Sequence, residues 1–310
     1  MPPHPLRRQR PADALLSSWT APDGWPIRRF DWPVEGDAAG AILFLGGRGD
    51  VFEKYLDAFA HWRRQGWSIT AFDWRGHGGS GRLTTDATVG HVRSFDALRD
   101  DLAAFWTQWD AAGPRVVMGH SMGGNVVLRA LADGAIDPAA AVLLAPTIRI
   151  RSPLGALLTE WLVRWRCRRG DPGRAAWTAK DTAAARMDAA AMLTNDYARV
   201  LDEEWWHERM PGARLGPPSW GWLAAAIRSG RAVARADWRA VTIPLLFMIA
   251  DDDRLVDARA VRRLARRCPT ATLKRFGRGV GHELLRERDE VREAALAAID
   301  RLLAQARARR

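Results

Sequence analysis

The residues best placed to do chemistry lie in Gly119-His120-Ser121-Met122-Gly123-Gly124, where a serine stands between two glycines at the Gly-x-Ser-x-Gly spacing. A serine hydroxyl is a poor nucleophile until a base takes its proton, so it must project from a sharp turn that a histidine on another loop can reach. Gly119 and Gly123 leave room for such a turn. Val116-Val117-Met118 before it reads as a buried strand, and Val126-Val127-Leu128-Arg129-Ala130 after it suits a helix. That is the context a nucleophile elbow requires. The Met122 N–H, at the start of the helix, would then point to where an oxyanion forms. The plain alternative is an ordinary strand-turn-helix with a serine in it by chance, and the partners of the serine decide between the two.

A base and an acid follow in the order Ser, Asp, His. Ile243-Pro244-Leu245-Leu246-Phe247-Met248-Ile249-Ala250 reads as a late strand, and Asp251-Asp252-Asp253 follows it. Pattern alone leaves all three aspartates open. His282, in Gly277-Arg278-Gly279-Val280-Gly281-His282-Glu283, is the only histidine after that loop, which makes it the candidate base. A further glycine cluster, Gly46-Gly47-Arg48-Gly49-Asp50, ends the strand Ala41–Leu45, where a ligand-facing loop of a parallel sheet belongs. The glycine-rich stretch Asp73–Gly81 has neither the Lys-Ser/Thr of a phosphate loop nor a dinucleotide fingerprint, so it is expected to be structural. His77 and His91 are expected to hydrogen-bond within loops rather than to act as bases.

The elements that must hold these residues alternate as strand and helix. Strands are expected at 25–32, 41–45, 67–73, 141–146, 243–250 and 272–276, with helices at 53–65, 95–110 and 258–267 and a final helix after His282. This rhythm predicts a mostly parallel sheet with helices on both faces. It breaks between residues 147 and 236, which hold no strand-like run but several short helical stretches with Trp161, Trp165, Trp177, Trp205, Trp206, Trp220 and Trp222. The expected organisation is therefore a sheet domain in two parts, 1–146 and 237–310, with a helical cap at 147–236. Most of the cap tryptophans are expected to form its core, with one or two lining an acyl pocket; Trp161, Leu162 and Trp165 are the candidates for holding a chain.

The 310 residues, 47% hydrophobic, suffice for a large core, and the net charge is +11. Nucleic acid is one partner such a charge suits, but no recognition motif accompanies it and the arginines are spread along the chain. An anionic membrane surface suits it equally, with Arg164 and Arg166 near the candidate chain site. Cys167 and Cys268 show neither metal-ligand spacing nor a disulfide framework, which favours a reducing compartment. The basic segment 1–11 lacks an apolar h-region and is expected to be a disordered or loosely docked arm. No apolar run is long enough to span a membrane.

Gly119–Gly124, Asp253-Arg254-Leu255-Val256 and Gly281-His282-Glu283 together resemble the monoacylglycerol lipase-like, serine aminopeptidase-like branch of the α/β-hydrolases, most of all its bacterial lysophospholipases. Arg75–Leu83, Gly90-His91-Val92, Asp100–Trp106 and His282-Glu283 with Glu287, Asp289 and Arg292 carry the same likeness, from about Asp23 onward and weakest in the cap. The resemblance implies the α/β-hydrolase fold with an inserted helical cap. It implies Ser121 as nucleophile, Asp253 as the acid of the triad, His282 as base, and the N–H groups of Arg48 and Met122 as oxyanion donors. Where the family has His-Gly-small-Gly, this chain has Gly46-Gly47-Arg48-Gly49, so the loop lacks its usual histidine anchor. The implied function is a lysophospholipase needing no cofactor or metal, cytoplasmic or peripheral to the inner membrane face. A monoacylglycerol lipase, a general carboxylesterase, an aminopeptidase or an acyltransferase would use the same triad. A non-catalytic membrane-surface or nucleic-acid binding protein on this fold is the alternative from another class.

Overall fold

Strands with no polar alternation, such as Gly40–Leu45, Ala140–Leu144 and Leu245–Ala250, can be buried only where helices cover both faces of a sheet, and all three are buried at every residue. The computed structural model describes residues 5–178 and 182–308. In chain order its strands and α-helices are β1 (Leu15–Thr20), β2 (Pro26–Trp32), β3 (Gly40–Leu45), α1 (Leu56–Arg63), β4 (Trp67–Phe72), α2 (Phe95–Gln108), β5 (Arg115–His120), α3 (Met122–Ala132), β6 (Ala140–Leu144), α4 (Ala156–Arg169), α5 (Ala183–Ala190), α6 (Tyr197–Arg209), α7 (Trp220–Arg235), β7 (Leu245–Ala250), α8 (Ala258–Ala265), β8 (Ala271–Phe276) and α9 (Asp289–Ala308). The eight strands form one sheet in the order β1-β2-β4-β3-β5-β6-β7-β8. Strand β2 runs antiparallel to both β1 and β4, and every other pairing is parallel.

Alternate residues of each central strand feed two apolar layers, as a pleated sheet demands. Ile42, Phe44, Val116 and Met118 pack with Phe59 and Trp62 of α1 and with Leu296, Ile299 and Leu303 of α9. Leu43, Leu45, Val117 and Phe247 face the other way, toward α2, α3 and α8. Helix α7 joins this second layer through Trp222, Leu223 and Val233, so the segment 147–236 sends one helix into the main core. The C-terminal ends of β3, β5 and β7 thereby open on one edge of the sheet, where parallel α/β proteins place their ligand sites.

Three expectations change. Strand β1 lies outside every apolar run: its residues are exposed except Trp19, and it is a strand only because β2 pairs with it, Leu15 opposite Asp31 through Thr20 opposite Pro26. The basic arm is docked from Arg7 on. Arg7 and Arg8 pair with Asp202 of α6, Arg10 pairs with Glu53, and the Trp206 indole N–H donates to the Arg7 carbonyl at 2.9 Å. Residues 1–4 of the arm lie outside the described residues. The tryptophans of 147–236 divide as well: Trp206 and Trp222 are buried, whereas Trp161, Trp165 and Trp177 are exposed, Trp161 at 60%. A helix of Leu, Trp and Arg with only Val163 buried cannot be a core helix, and α4 is instead a surface helix. Both cysteines are free thiols, and among the described residues no helix is long and apolar enough to cross a membrane.

Candidate active site

Ser121 sits between the end of β5 and the start of α3 with φ 50° and ψ −112°. Among the described residues only Ala145 shares a positive φ without being glycine. Such backbone strain costs roughly 1–3 kcal/mol and persists only where the surroundings enforce it. Here they do: a Cβ at Gly123 would strike the carbonyls of Leu45 and Gly46, so helix α3 can approach the end of β3 only with glycine there. Ser121 N–H donates to the Leu144 carbonyl at 2.8 Å, and Thr147 N–H donates to the Ser121 carbonyl at 3.0 Å. The Ser121 Oγ is partly exposed and lies 3.2 Å from Thr147 Oγ1. Met122 begins α3, so its N–H belongs to the first turn, which has no intrahelical acceptor.

His282 and Asp253 come together from loops after β8 and β7, with His282 Nδ1 2.6 Å from Asp253 Oδ2. The other carboxylate oxygen of Asp253 accepts from the Leu255 and Val256 N–H groups at 2.7 and 3.0 Å. Burial disfavours both charges, but each group favours the charge of its partner. Against that burial, Asp253, with Glu283 and Asp50 behind it, holds the His282 imidazole above its ordinary value, and His282 holds Asp253 below its own. Asp251 and Asp252 point elsewhere: Asp251 pairs with Arg275 at 2.9 Å, and Asp252 accepts the Gly279 N–H at 3.2 Å. The His282 Nε2 is buried and has no hydrogen-bond partner among the described residues. It is the one nitrogen of the pair left free to exchange a proton with another group.

The Gly46–Asp50 loop runs against Ser121 and His120. A Cβ on Gly47 would stand 3.1 Å from both Ser121 Cβ and His120 Nδ1, so the loop passes directly over the elbow. Gly47 N–H donates to Asp50 Oδ2 at 2.7 Å. The same oxygen accepts from the Tyr55 hydroxyl at 2.9 Å and lies 2.9 Å from His120 Nδ1. Asp50 Oδ1 takes the Lys54 ammonium at 2.6 Å, and Lys54 reaches on to Glu283 at 2.6 Å and Glu203 of α6 at 3.1 Å. Arg286 closes the network on Glu283 and Glu203. Burial disfavours the charges of Asp50 and Lys54, yet Lys54 and His120 hold Asp50 well below the usual carboxylate range, and the three carboxylates raise Lys54. The imidazoles of His120 and His282 lie 4.9 Å apart between centroids. Arg48 points away from the network: its guanidinium donates to the Gly216 carbonyl at 2.9 Å and lies over Trp222, and burial pushes it down to about 10.

Asp50, His120 and Glu283 were marked only as parts of motifs, and neither they nor Lys54, Tyr55 and Glu203 were assigned a role at the site from sequence. Their one signal is the Asp50/Lys54 spacing, which puts opposite charges one helical turn apart. The Asp73–Gly81 loop is structural, since Asp73 Oδ2 takes the Gly79 N–H at 2.8 Å and so occupies a donor that a phosphate would need, while Trp74 holds the Gly46 carbonyl at 2.9 Å. His77 Nδ1 lies 2.9 Å from the Arg75 carbonyl, and burial lowers its pKa to about 4. His91 Nδ1 lies 2.7 Å from Ser219 Oγ.

A parallel sheet with a serine elbow at its C-terminal edge and a His-Asp pair beside it defines a lipase/esterase-type α/β-hydrolase. The family model described as serine aminopeptidase, S33, matches residues 36–289, and the chain belongs to that family. Lysophospholipase L2 of Escherichia coli is 30% identical over 275 residues, covering 83% of this chain and 78% of the relative. Monoacylglycerol lipase of Mycolicibacterium smegmatis is 24% identical, covering 84% and 86%. Among solved structures, a soluble variant of the monoglyceride lipase of Saccharomyces cerevisiae superposes with a TM-score of 0.76 at 18% identity, covering 99% of this chain and 100% of that one.

Proposed function

We propose that this hydrolase cleaves the carboxylic ester of monoacyl lipids, lysophospholipids ahead of monoacylglycerols. Ser121 is the nucleophile, His282 the base and Asp253 the group that holds the imidazole tautomer. The observation that carries the reading is the buried His282, bound to Asp253 through Nδ1 and without a partner at Nε2 among the described residues. His282 Nε2 takes the Ser121 proton as Oγ attacks the ester carbonyl, then returns it to the departing alcohol oxygen. Water, deprotonated by the same nitrogen, releases the fatty acid and restores Ser121. The N–H groups of Arg48 and Met122 hold the oxyanion.

The likeness to Escherichia coli lysophospholipase L2 and the net charge of +11 support a lysophospholipid on an anionic surface. Helix α4 supplies the contact within the helical cap at 147–236. Leu157, Leu158, Trp161 and Trp165 expose one apolar stripe, with the two indoles stacked at 6.3 Å, and Arg166 and Arg169 lie over Trp165. Large apolar and basic residues side by side suit a helix lying in a lipid interface. Labelling by a fluorophosphonate, followed by p-nitrophenyl esters of rising chain length and then lysophosphatidylcholine, tests the reading. Adduct on Ser121 and a preference for long chains are expected. No adduct, or turnover of aminoacyl anilides in place of esters, would overturn it.

A further inference from the structure

A crevice of about 330 Å3 opens between α4, α7, α8 and the segment after β6, and neither Ser121 nor His282 lines it. At its floor α7 presses on the Ile148 carbonyl at Gly230, where no side chain would fit. Beside that close approach the walls stand apart and leave Ile150, Leu157, Ile227 and Leu264 around an open space. The charged residues of the lining are four arginines, Arg149, Arg231, Arg263 and Arg267, and a single carboxylate, Glu160. Glu160 is shared by Arg231 and, at 3.7 Å, Arg164. Asp257 is shared by Arg149 at 3.5 Å and Arg263 at 3.9 Å. Arg267 donates to the carbonyls of Ala234 and Ala236 and makes no ion pair among the described residues. The rim is thus richer in cations than in anions.

We infer that this crevice binds one long-chain fatty carboxylate, its chain on the aliphatic walls and its head among Arg149, Arg263 and Arg267. Branched aliphatic walls favour an apolar occupant, and a planar guanidinium fork matches a carboxylate with two parallel hydrogen bonds. A volume near the lower end of ligand pockets suits one chain rather than two. Leu157, 81% exposed, belongs both to this crevice and to the outer stripe of α4, so a chain can enter from the lipid side. The choice of a fatty acid rests on the ester hydrolysis proposed above, which releases that product.

The test is calorimetric titration of laurate, below its micellar concentration, into protein whose Ser121 has been phosphonylated and checked by mass. One equivalent is expected to bind to the blocked enzyme. Arg149→Gln with Arg263→Gln, both more than half exposed, should raise Kd at least tenfold while leaving p-nitrophenyl butyrate hydrolysis unchanged, and Leu157→Asp should also raise Kd at least tenfold. Binding lost on phosphonylation, unchanged Kd in these variants, or equal affinity for dodecyltrimethylammonium would overturn the inference, as would binding of dodecyl phosphate but not laurate. A Ser121 that takes no phosphonate refutes the hydrolase reading instead, and titration of the unmodified protein then decides the crevice by the same variants.

Discussion

The Gly47 N–H donates to Asp50 Oδ2 at 2.7 Å, and the Asp50 side chain packs against Gly46, so this carboxylate anchors the Gly46–Asp50 loop from within. Because Asp50 also holds Tyr55, His120 and Lys54, and Lys54 holds Glu283 beside His282, one buried carboxylate ties the Gly46–Asp50 loop, the proposed oxyanion loop, to the loop of His282, the proposed base. Replacing Asp50 by Ala frees Gly47 and leaves Lys54 with a partner missing. Loss of kcat by about 10²–10³ is expected, on the scale of one displaced oxyanion donor, with KM little changed. Stability should fall by about 3–5 kcal/mol, as for a broken buried ion pair. Steady-state kinetics beside urea unfolding separates the two effects; full kcat in a destabilised variant would show that the carboxylate supports the fold and not the loop.

Ser121 provides a second test, because its chemistry and its strain can be removed separately. Ser121→Ala should cost several powers of ten in rate, on the order of a lost triad nucleophile, and leave the fold intact. Ser121→Gly should be equally inactive, yet melt no lower than Ser121→Ala, because glycine tolerates φ 50° where alanine does not. A lower melting temperature for the glycine variant would contradict the strain argument.

The three consecutive aspartates should separate sharply by mutation. Asp253→Asn is expected to lower kcat by about 10⁴ through the wrong imidazole tautomer, and Asp251→Asn or Asp252→Asn to leave most of it, since those carboxylates serve Arg275 and the Gly279 N–H. A severe loss in either of the latter two would move the acid.

The raised His282 pKa sets a pH dependence. Only neutral imidazole can accept the serine proton, so kcat/KM should rise with pH through an acid limb whose midpoint lies above the ordinary histidine value of about 6.5. The same shift has a stability consequence. A group whose pKa is higher folded than unfolded contributes stability that is full below about 6.5 and fades as pH rises through the folded value. The Asp253 shift has the opposite sign, with its contribution present above the unfolded carboxylate value and lost as pH falls through the depressed one. A midpoint at or below 6.5 in kcat/KM would contradict the charge balance around His282.

Helix α4 can be tested on vesicles. Trp161→Ala with Trp165→Ala should weaken binding to anionic vesicles and slow hydrolysis of lysolipid presented on them, without changing turnover of short soluble esters. Raising salt should weaken the anionic preference, because exposed charges are screened beyond about 8 Å at physiological ionic strength. Equal rates on zwitterionic and anionic vesicles at every salt concentration would remove the charge from the account.

The sequence by itself determined the parallel sheet and the local geometry around Ser121. Unbroken apolar strands can be buried only between two helical layers, and Gly119 and Gly123 flank the serine at the spacing of a tight turn. Chain order marked His282 as the candidate base as well, since no other histidine follows the aspartates. What needed tertiary structure were the relations between distant loops. Three adjacent aspartates look alike by pattern, and only the family resemblance singled out Asp253; the fold hands Asp251 to Arg275, Asp252 to Gly279 and Asp253 to His282. Strand β1 has no apolar pattern, because its existence depends on hydrogen bonds from β2. The tryptophans of α4 could not be told from core residues by type, since burial is set by what packs against a helix, and nothing described covers that stripe. Nothing in the sequence links Asp50, Lys54 and Glu283 to one another. Only when β3, α6 and the His282 loop converge do they become buried, and burial without water is what obliges them to bind one another.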